Sequence, residues 1–266
     1  MTIKELVNDN IIKGYKLKDA ENLAAEEIIL KKIASSDMAE HVTLKGGIVM
    51  YNLTKNNRRV TQDIDFDLIR HSIDRESIRT FIDKMNRIND GFSLIIVGQI
   101  EDLSQEDYKG VRVRLAIKDK VNSRLKLKLD IGVHTYTAIT QERIVFSFGH
   151  DENISVKVNP PEQIFAEKLL SLARLGAVSG RYKDLYDFYY LIKEKRISKK
   201  KVGEILKLFF DLSKKKPNSL IELQESVEDT LNNKYFLAEA SRPSSKWIDV
   251  DIEDVKETIL DFVNGL

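Results

Sequence analysis

Thr61-Gln62-Asp63-Ile64-Asp65-Phe66-Asp67 is the most informative segment of the sequence, and Lys45-Gly46-Gly47 precedes it. In a strand, residues two apart share a face, so the three aspartates point to one side of a sheet. Neighbouring carboxylates repel each other, and a sheet carries them at a cost in stability unless a cation neutralises them. A hard divalent cation that also holds phosphate oxygens would explain the pattern. An edge strand with one solvated face is the alternative.

Two further features accompany this strand. Gly46 and Gly47 lie between a predicted strand and a predicted helix, where backbone amides can approach an anion closely, although two glycines can also form a simple tight turn. Asp130 lies in a later strand, on the same face as Lys126 and Lys128, and is the candidate third carboxylate. Together these parts could build a two-metal site for in-line phosphoryl displacement.

The rest of the chain predicts an α+β fold. Helices are predicted at 19–35 and 73–88, the latter closed by Gly91, and strands at 92–100, 111–117, 124–133 and 143–148. At Asn159-Pro160-Pro161 the character changes: Asn159 could cap a helix that Pro160 begins. Helices are predicted from there on, at 160–175, 182–194, 198–212, 218–232 and 251–264. We therefore expect a mixed sheet with flanking helices in residues 1–155 and an all-helical C-terminal domain in residues 156–266.

Composition narrows the chemistry. The 266 residues include 43 basic and 42 acidic ones, no cysteine and four scattered histidines. Disulfides, a thiol nucleophile and cysteine-ligated metals are excluded, so any metal must be held by carboxylates, which favours Mg²⁺ or Mn²⁺. No apolar run approaches the roughly 20 residues of a membrane span. The sequence therefore predicts a cytoplasmic protein that does not associate with a membrane.

A second group of charged residues lies in the predicted helical domain. Lys168 lies on the first helix, and Asp184 and Asp187 lie on the next. The apolar core stripe of that second helix is predicted to comprise Leu185, Phe188, Tyr189 and Ile192. Lys168 and Asp184 could form a structural ion pair between the helices. Alternatively, Lys168 could neutralise the β- and γ-phosphates of a nucleotide while Asp184 orients it or helps to hold the metal.

Basic residues offer two candidate surfaces for a nucleic acid. Residues 193–216 contain ten Lys or Arg and three acids, and include Lys199-Lys200-Lys201 and Lys214-Lys215-Lys216. A solvated helix face is the alternative explanation of that run. The second candidate surface, on the predicted sheet and nearer the acids, comprises Arg112, Arg114, Arg124, Lys126 and Lys128.

Four segments carry a resemblance to a known family. They are Leu44-Lys45-Gly46-Gly47, Arg59-Val60-Thr61-Gln62-Asp63-Ile64-Asp65-Phe66, Ala166-Glu167-Lys168-Leu169 and Arg181-Tyr182-Lys183-Asp184-Leu185-Tyr186-Asp187. In this order they resemble the AbiEii/AbiGii toxins. These are nucleotidyltransferases of the DNA-polymerase-β-like superfamily, usually the toxin half of type IV toxin–antitoxin or abortive-infection systems. The resemblance covers about residues 44 to 190, and the C-terminal third adds no motif.

The resemblance implies a role for individual residues. Asp63 and Asp65 would bind the metal, and Asp184 would complete the catalytic set with Lys168 and the candidate Asp130. The nucleotide-binding residues that it implies are Lys45, Gly46, Gly47, Lys168, Arg181 and Asp187. Ile48 departs from the family, whose members often have a small hydroxyl residue after the two glycines. Anchoring of the phosphates is therefore left to backbone amides.

The resemblance also implies a reaction. Similar enzymes add nucleotides to the 3′ end of tRNA, so we expect transfer of a nucleoside monophosphate from an NTP to tRNA, which blocks translation. The expected partners are an NTP, tRNA and a cognate antitoxin, with Mg²⁺ or Mn²⁺ as the cofactor. The alternatives are transfer to a small molecule or a protein, as in antibiotic-modifying or AMP-adding enzymes, a metal-dependent nuclease, and a binding module without catalysis.

Overall fold

The computed structural model describes residues 1–103, 110–148, 153–213 and 215–266, and within them the acidic strand lies inside an eight-stranded mixed sheet. The strands are β1 (Val42–Lys45), β2 (Asp63–Leu68), β3 (Phe92–Ile96), β4 (Glu101–Leu103), β5 (Gly110–Asp119), β6 (Arg124–Val133), β7 (Glu142–Ser147) and β8 (Asn153–Val158). Their order is β3-β5-β6-β2-β1-β8-β7, and β4 pairs with β5. The acidic strand β2 is therefore an interior strand, which excludes the edge-strand alternative.

The register of the interior strands aligns the charged residues. β2 runs antiparallel to β1 and parallel to β6, so Asp65 lies between Lys45 on one side and Asp130 on the other. Paired residues in adjacent strands project to the same face. The opposite face of β2 carries Ile64 and Phe66, which are fully buried. One face of the sheet is thus core, and the other face collects the charged side chains.

Four α-helices and one short 3-10 helix (Asn57–Arg59) accompany the sheet in the described part of the first unit, Met1–Asn159. The α-helices are α1 (Ile3–Ile12), α2 (Leu17–Ala34), α3 (Gly46–Thr54) and α4 (Arg75–Asn86). The sequence did not predict α1, which begins with a capping box at Thr2 and is tied to β5 by a hydrogen bond from the Ile3 amide to the Asp119 carboxylate. The predicted C-cap at Gly91 is wrong, because α4 ends at Asn86 with Arg87 as its C-cap.

The second unit, Pro160–Leu266, is helical throughout its described residues. Its helices are α5 (Pro161–Leu175), α6 (Tyr182–Lys193), α7 (Lys199–Leu212), α8 (Leu220–Leu231), α9 (Lys234–Ala240) and α10 (Ile252–Asn264). Aromatic residues fill its core: Phe165, Phe188, Phe236, Trp247 and Tyr186, whose hydroxyl donates to the Ala240 carbonyl at 2.8 Å. The α+β class predicted from the sequence is confirmed.

A strand and a helix cap differ from the sequence predictions near the end of the first unit. The two compact units divide between Asn159 and Pro160, and residue 155, near which the boundary was predicted, lies in β8, an unpredicted strand that pairs with β1. Asn159 does not cap α5, whose N-cap is Pro160. The Asn159 amide instead donates to the Leu44 carbonyl, and its side-chain oxygen accepts from Thr43 Oγ1. Asn159 therefore closes the sheet of the first unit.

No described helix combines the length and the apolar character that a membrane crossing would need.

Candidate active site

The charged face of the first unit carries a group of acids that we name the sheet cluster: Asp63, Asp65, Asp67 and Asp130. Three of them contact a basic side chain of the same sheet. Lys45 Nζ lies 2.7 Å from Asp67 Oδ1, and Lys128 Nζ lies 2.8 Å from Asp63 Oδ1. Arg112 donates two hydrogen bonds to Asp130, from Nε at 2.7 Å and from Nη2 at 2.6 Å. Ion pairs across the strands thus offset the repulsion between the acids.

Asp65 lies against the N-terminus of α3. Gly46, the first residue of that helix, has a φ of 65°, a conformation that side chains rarely adopt. A Cβ at this position would also collide with the Asp65 carboxylate. Glycine is therefore required for two reasons, and the result is a carboxylate placed where the partial positive charge of a helix begins.

Gly47 is required by a second close approach. A Cβ on Gly47 would lie 2.6 Å from Thr61 Oγ1 and 3.4 Å from Nη1 of Arg59, a residue that is 5% exposed. A buried guanidinium therefore lies beside the first turn of α3. No role was predicted for Arg59 from the sequence, although this residue begins the segment Arg59–Phe66. The sequence feature that could have identified Arg59 is its position after a double glycine and before an acidic strand.

Asp67 lies deeper than the other acids of β2. It is 3% exposed, and its pair with Lys45 adjoins a buried polar group. In that group Thr43 Oγ1 donates to Gln141 Oε1 at 2.8 Å, and Gln141 Nε2 lies 3.4 Å from Nε2 of His134. Burial lowers the pKa of His134, and the nearby Asp67 carboxylate opposes that shift. The amine of Lys45, predicted to bind nucleotide, thus lies against Asp67.

Asp130 has the position that strand alternation predicted. It lies beside Asp65 in the neighbouring strand and projects to the same face. Its two oxygens accept from Arg112, and this hydrogen bonding raises the pKa of the guanidinium. Arg112 and Lys128 were predicted only as part of a basic surface, and their contacts with the acids were not predicted from the sequence. The alternation in Val111-Arg112-Val113 showed the direction of Arg112 but not its partner.

The donor set of the sheet cluster suits Mg²⁺ shared with a ligand. Within the described residues, no three His, Cys, Asp or Glu side chains are grouped closely enough to hold a metal ion by themselves. Mg²⁺ usually retains waters and is held by one or two carboxylates together with substrate phosphates. Asp63 and Asp65, two residues apart on one strand face, provide such a pair of carboxylates.

The second unit contains the other predicted residues, which we name the helical cluster: Lys168, Arg181, Asp184 and Asp187. Lys168 Nζ contacts Asp184 Oδ1 and lies 3.0 Å from Asp187 Oδ2. Arg181 Nη1 lies 3.4 Å from Asp184 Oδ2. The structure therefore brings all four residues together, and Asp187 is more deeply buried than Asp184.

Aromatic packing sets the geometry of the helical cluster. The rings of Phe165 on α5 and Phe188 on α6 meet edge to face with centroids 4.9 Å apart. Lys168 follows Phe165 by three residues and Asp184 precedes Phe188 by four, so both charged groups flank the aromatic contact. The predicted apolar stripe of α6 is partly wrong, because Tyr189 and Ile192 are only half-buried while both aspartates are buried.

A family model described as nucleotidyl transferase AbiEii toxin, type IV TA system, matches residues 28–248. The chain belongs to this family. The match confirms the resemblance and extends it beyond the four motifs, from α2 to the segment before α10. Among solved structures, an antigenic nucleotidyltransferase-like protein from Paracoccidioides brasiliensis is similar at 17% identity and a TM-score of 0.41, over 83% of this chain and 91% of that one. No curated protein has a significantly matching sequence.

Membership of the AbiEii family gives both clusters a shared context. Among the segments that carry the resemblance, Arg59–Phe66 contributes Asp63 and Asp65 to the sheet cluster, and the last two contribute the four residues of the helical cluster. The chain is therefore a nucleotidyltransferase of a toxin–antitoxin family.

Proposed function

We propose that the chain transfers a nucleoside monophosphate from an NTP to the 3′-terminal hydroxyl of tRNA, and that this transfer blocks translation. The observation that carries the proposal is the packing of the Asp65 carboxylate against Gly46 at the N-terminus of α3, in a chain of the AbiEii family. This packing supports the proposal, because the proposed metal ligand Asp65 lies beside a helix N-terminus, a position that suits a triphosphate and its cation.

Asp63 and Asp65 would hold Mg²⁺ jointly with the triphosphate. The cation supplies charge neutralisation to the phosphate oxygens. The first-turn amides of α3, at Gly46 and Gly47, orient the phosphates, because Ile48 offers no hydroxyl for this purpose. In the reaction, the acceptor oxygen forms a bond to the α-phosphorus while the bond from that phosphorus to the β-bridging oxygen breaks. Pyrophosphate leaves, and positioning supplies most of the catalysis.

Asp130 is our candidate for the carboxylate that acts on the acceptor. The acceptor hydroxyl loses a proton as its oxygen attacks, and Asp130, beside Asp65, would accept it. Arg112 donates a hydrogen bond to each oxygen of Asp130 and so orients the carboxylate. We therefore assign Arg112 as a positioning residue that acts through Asp130.

Lys168 would neutralise the charge of the β- and γ-phosphates. Its amine is held by two carboxylates, those of Asp184 and Asp187, which limit its rotamers. Arg181 holds the second oxygen of Asp184. A preorganised cation of this kind stabilises the developing charge of the leaving group without reorganisation during the step.

A labelling experiment tests the function. The protein is incubated with Mg²⁺, total RNA and each of the four α-labelled NTPs, beside Asp65→Asn and the control Asp83→Asn, which removes an exposed acid of α4. We expect label on tRNA with the wild type and the control but not with Asp65→Asn. Label on the protein or on a small molecule would disprove the proposal that tRNA is the acceptor. Shortening of RNA in the absence of NTP would show that the protein is a nuclease.

A cognate antitoxin is the proposed protein partner, since the family is described as the toxin of a type IV system. We propose the cytoplasm as the site of action, because NTPs and tRNA are found there. Expression of the wild type, but not of Asp65→Asn, should arrest growth, and co-expression of the antitoxin should relieve the arrest. Equal arrest by both proteins would show that the toxicity does not depend on transfer.

A further inference from the structure

The charged face of the sheet continues beyond the acids as a purely basic surface. We name Lys118, Arg124 and Lys126 the distal basic patch. In the β5–β6 ladder Lys118 lies opposite Arg124, and Lys126 lies opposite Ala116. Arg124 and Lys126 are separated from Asp130 along β6 by even numbers of residues, and so is Lys118 from Arg112, the partner of Asp130, along β5. All three therefore project to the face that carries Asp130. Arg124 and Lys126 are exposed, and Lys118 is half-buried.

The patch costs stability in the isolated protein. Like charges directly opposite each other in antiparallel strands are destabilising. A second such pair, Arg114 opposite Lys128, is compensated, because Arg114 contacts Glu101 and Lys128 contacts Asp63. Within the described residues, none of the three cations of the distal basic patch forms an ion pair with an acid. The uncompensated cations predict a ligand that supplies negative charge from outside.

The patch and the sheet cluster form one continuous surface. Side chains of one strand face recur about every 6.6 Å, so Arg124 lies about 20 Å from Asp130 along β6. Lys126 and Lys128 occupy the two positions between them. Exposed Ile95 of β3, paired with Ala116, borders the patch on the β3 side. A polyanionic chain whose end reaches the acids would therefore find cations along its length.

The basic run of the second unit has a different character. Lys199 donates to the Asp261 carbonyl and lies over the Phe262 ring, Lys201 lies 3.7 Å from Glu162, and Lys216 lies 2.7 Å from Glu222. Lys214 lies outside the described residues. Several cations of this run thus have partners within their own unit, which favours the sheet face as the surface for an external anion.

We propose that the distal basic patch binds the phosphate backbone of the acceptor RNA and directs its 3′ end to the sheet cluster. The inference rests on the proposed function for the identity of the acceptor. None of the three residues of the distal basic patch is aromatic, so the patch offers no ring on which bases could stack. Binding should therefore depend on phosphates, tolerate changes of base sequence and weaken as the salt concentration rises.

Fluorescence anisotropy with a labelled single-stranded RNA, in EDTA and without NTP, tests this surface. The patch variant is Lys118→Gln/Arg124→Gln/Lys126→Gln. The control, Arg196→Gln/Lys200→Gln/Lys207→Gln, likewise removes one arginine and two lysines, all exposed, from the basic run of the second unit. Each phosphate contact with a single strand contributes about 0.7 to the slope of log K against log salt concentration. We expect the patch variant to lower the magnitude of that slope by about 2 and the control to lower it by less than about 0.7.

Thermal unfolding separates this role from a structural one. Loss of the repulsion between Lys118 and Arg124 should leave the Tm of the patch variant unchanged or raised. Weaker RNA binding together with a lowered Tm would indicate a structural defect and overturn the inference. An RNA affinity reduced by the control and not by the patch variant would overturn it as well. So would equally tight binding of polyglutamate of matched charge, which would point to an acidic protein as the ligand.

The outcome is distinguishable from that of the proposed function. A wild type that labels tRNA while the patch variant binds RNA normally would disprove only the assignment of the surface. A wild type that binds RNA through the patch but labels no RNA would disprove only the proposed transfer.

Discussion

In both the sheet cluster and the helical cluster, basic side chains compensate closely spaced acids, but the two arrangements differ. In the sheet cluster, Asp63 and Asp130 each contact a separate basic side chain, and Lys128 and Arg112 are 42% and 31% exposed. In the helical cluster, a single amine that is 11% exposed contacts two acids, of which Asp187 is fully buried. Solvent therefore reaches the cations paired with Asp63 and Asp130, whereas Lys168, like Lys45 beside Asp67 in the sheet cluster, is largely enclosed.

This difference indicates which cations can be exchanged. Exposed ion pairs contribute about 0–1 kcal/mol, so a divalent cation can replace Lys128 at Asp63 at little cost. Removing one partner of a buried pair costs about 3–5 kcal/mol, because it leaves a buried charge uncompensated. The sheet cluster therefore suits a site that gains and loses a metal ion with each nucleotide. The helical cluster suits a fixed cation.

Asp65→Asn should have the largest effect on activity and almost none on stability. The substitution keeps the shape that packs against Gly46 but removes a metal-binding charge. We expect the rate of nucleotide transfer to fall by about 10³-fold, as when one charge-stabilising group is lost, with an unchanged or slightly higher Tm. Steady-state transfer of labelled nucleotide and scanning calorimetry give the two values. A variant that retains more than a tenth of the wild-type rate would contradict the role of Asp65.

Lys168→Met and Lys128→Met compare the two clusters in stability. The first leaves Asp184 and Asp187 buried without their amine and should lower the free energy of unfolding by about 3–5 kcal/mol. The second should change it by less than about 1 kcal/mol. Urea denaturation measures both. If Lys168→Met does not fold, Lys168→Met/Asp187→Asn, which removes one of the two acids as well, should recover part of the loss. Equal losses from the two single variants would refute the distinction.

Lys128→Met should also strengthen metal binding. Its amine competes with a cation for Asp63, so its removal should tighten binding of Mn²⁺ by about 2- to 5-fold, the equivalent of about 0.5–1 kcal/mol. Titration calorimetry with Mn²⁺ in the presence of an NTP measures this, and Lys126→Met, two residues away on the same face, serves as the control. Weaker Mn²⁺ binding by Lys128→Met than by the control would show that Lys128 assists the metal.

Glu26 extends the comparison to an acid that has no ion pair within the described residues and no proposed part in the reaction. It lies on α2, 1% exposed, and burial raises its pKa well above the usual value of 4.5. The folded protein therefore keeps a proton that the unfolded chain releases, and stability decreases as the pH rises above about 4.5. Glu26→Gln should leave the Tm unchanged at about pH 4.5 and raise it at about pH 8. The rise should be about 2–4 °C for each kcal/mol that the substitution adds to the free energy of unfolding. An equal change at both pH values would contradict this account.

The sequence predicted the directions of side chains better than their partners. Alternation in Leu125-Lys126-Leu127-Lys128-Leu129 assigned the faces of β6, and the acids of β2 were placed on one face. The pairing of Asp130 with Arg112 depends on strand order and register, which are set by long-range packing and not by local pattern.

The helical cluster shows why a hydrophobic period can mislead. Helix α6 contacts α5, α9 and α10, so its buried surface is wider than one stripe. Two of the buried positions carry aspartates whose charges are balanced by Lys168. The helical period was counted on apolar residues alone, so it predicted that Tyr189 and Ile192, and not the two aspartates, are core residues. Lys168 and Asp184 were nevertheless identified, because the resemblance to the family depends on them.

The intact mass of a purified tRNA, incubated with the protein, Mg²⁺ and the four NTPs, shows whether the protein transfers nucleotides to tRNA. We expect a gain of one or more nucleoside monophosphate residues, an equal amount of pyrophosphate, and neither product with Asp65→Asn. A tRNA whose mass is unchanged under these conditions, or one that loses nucleotides without any NTP, would contradict the proposed transfer.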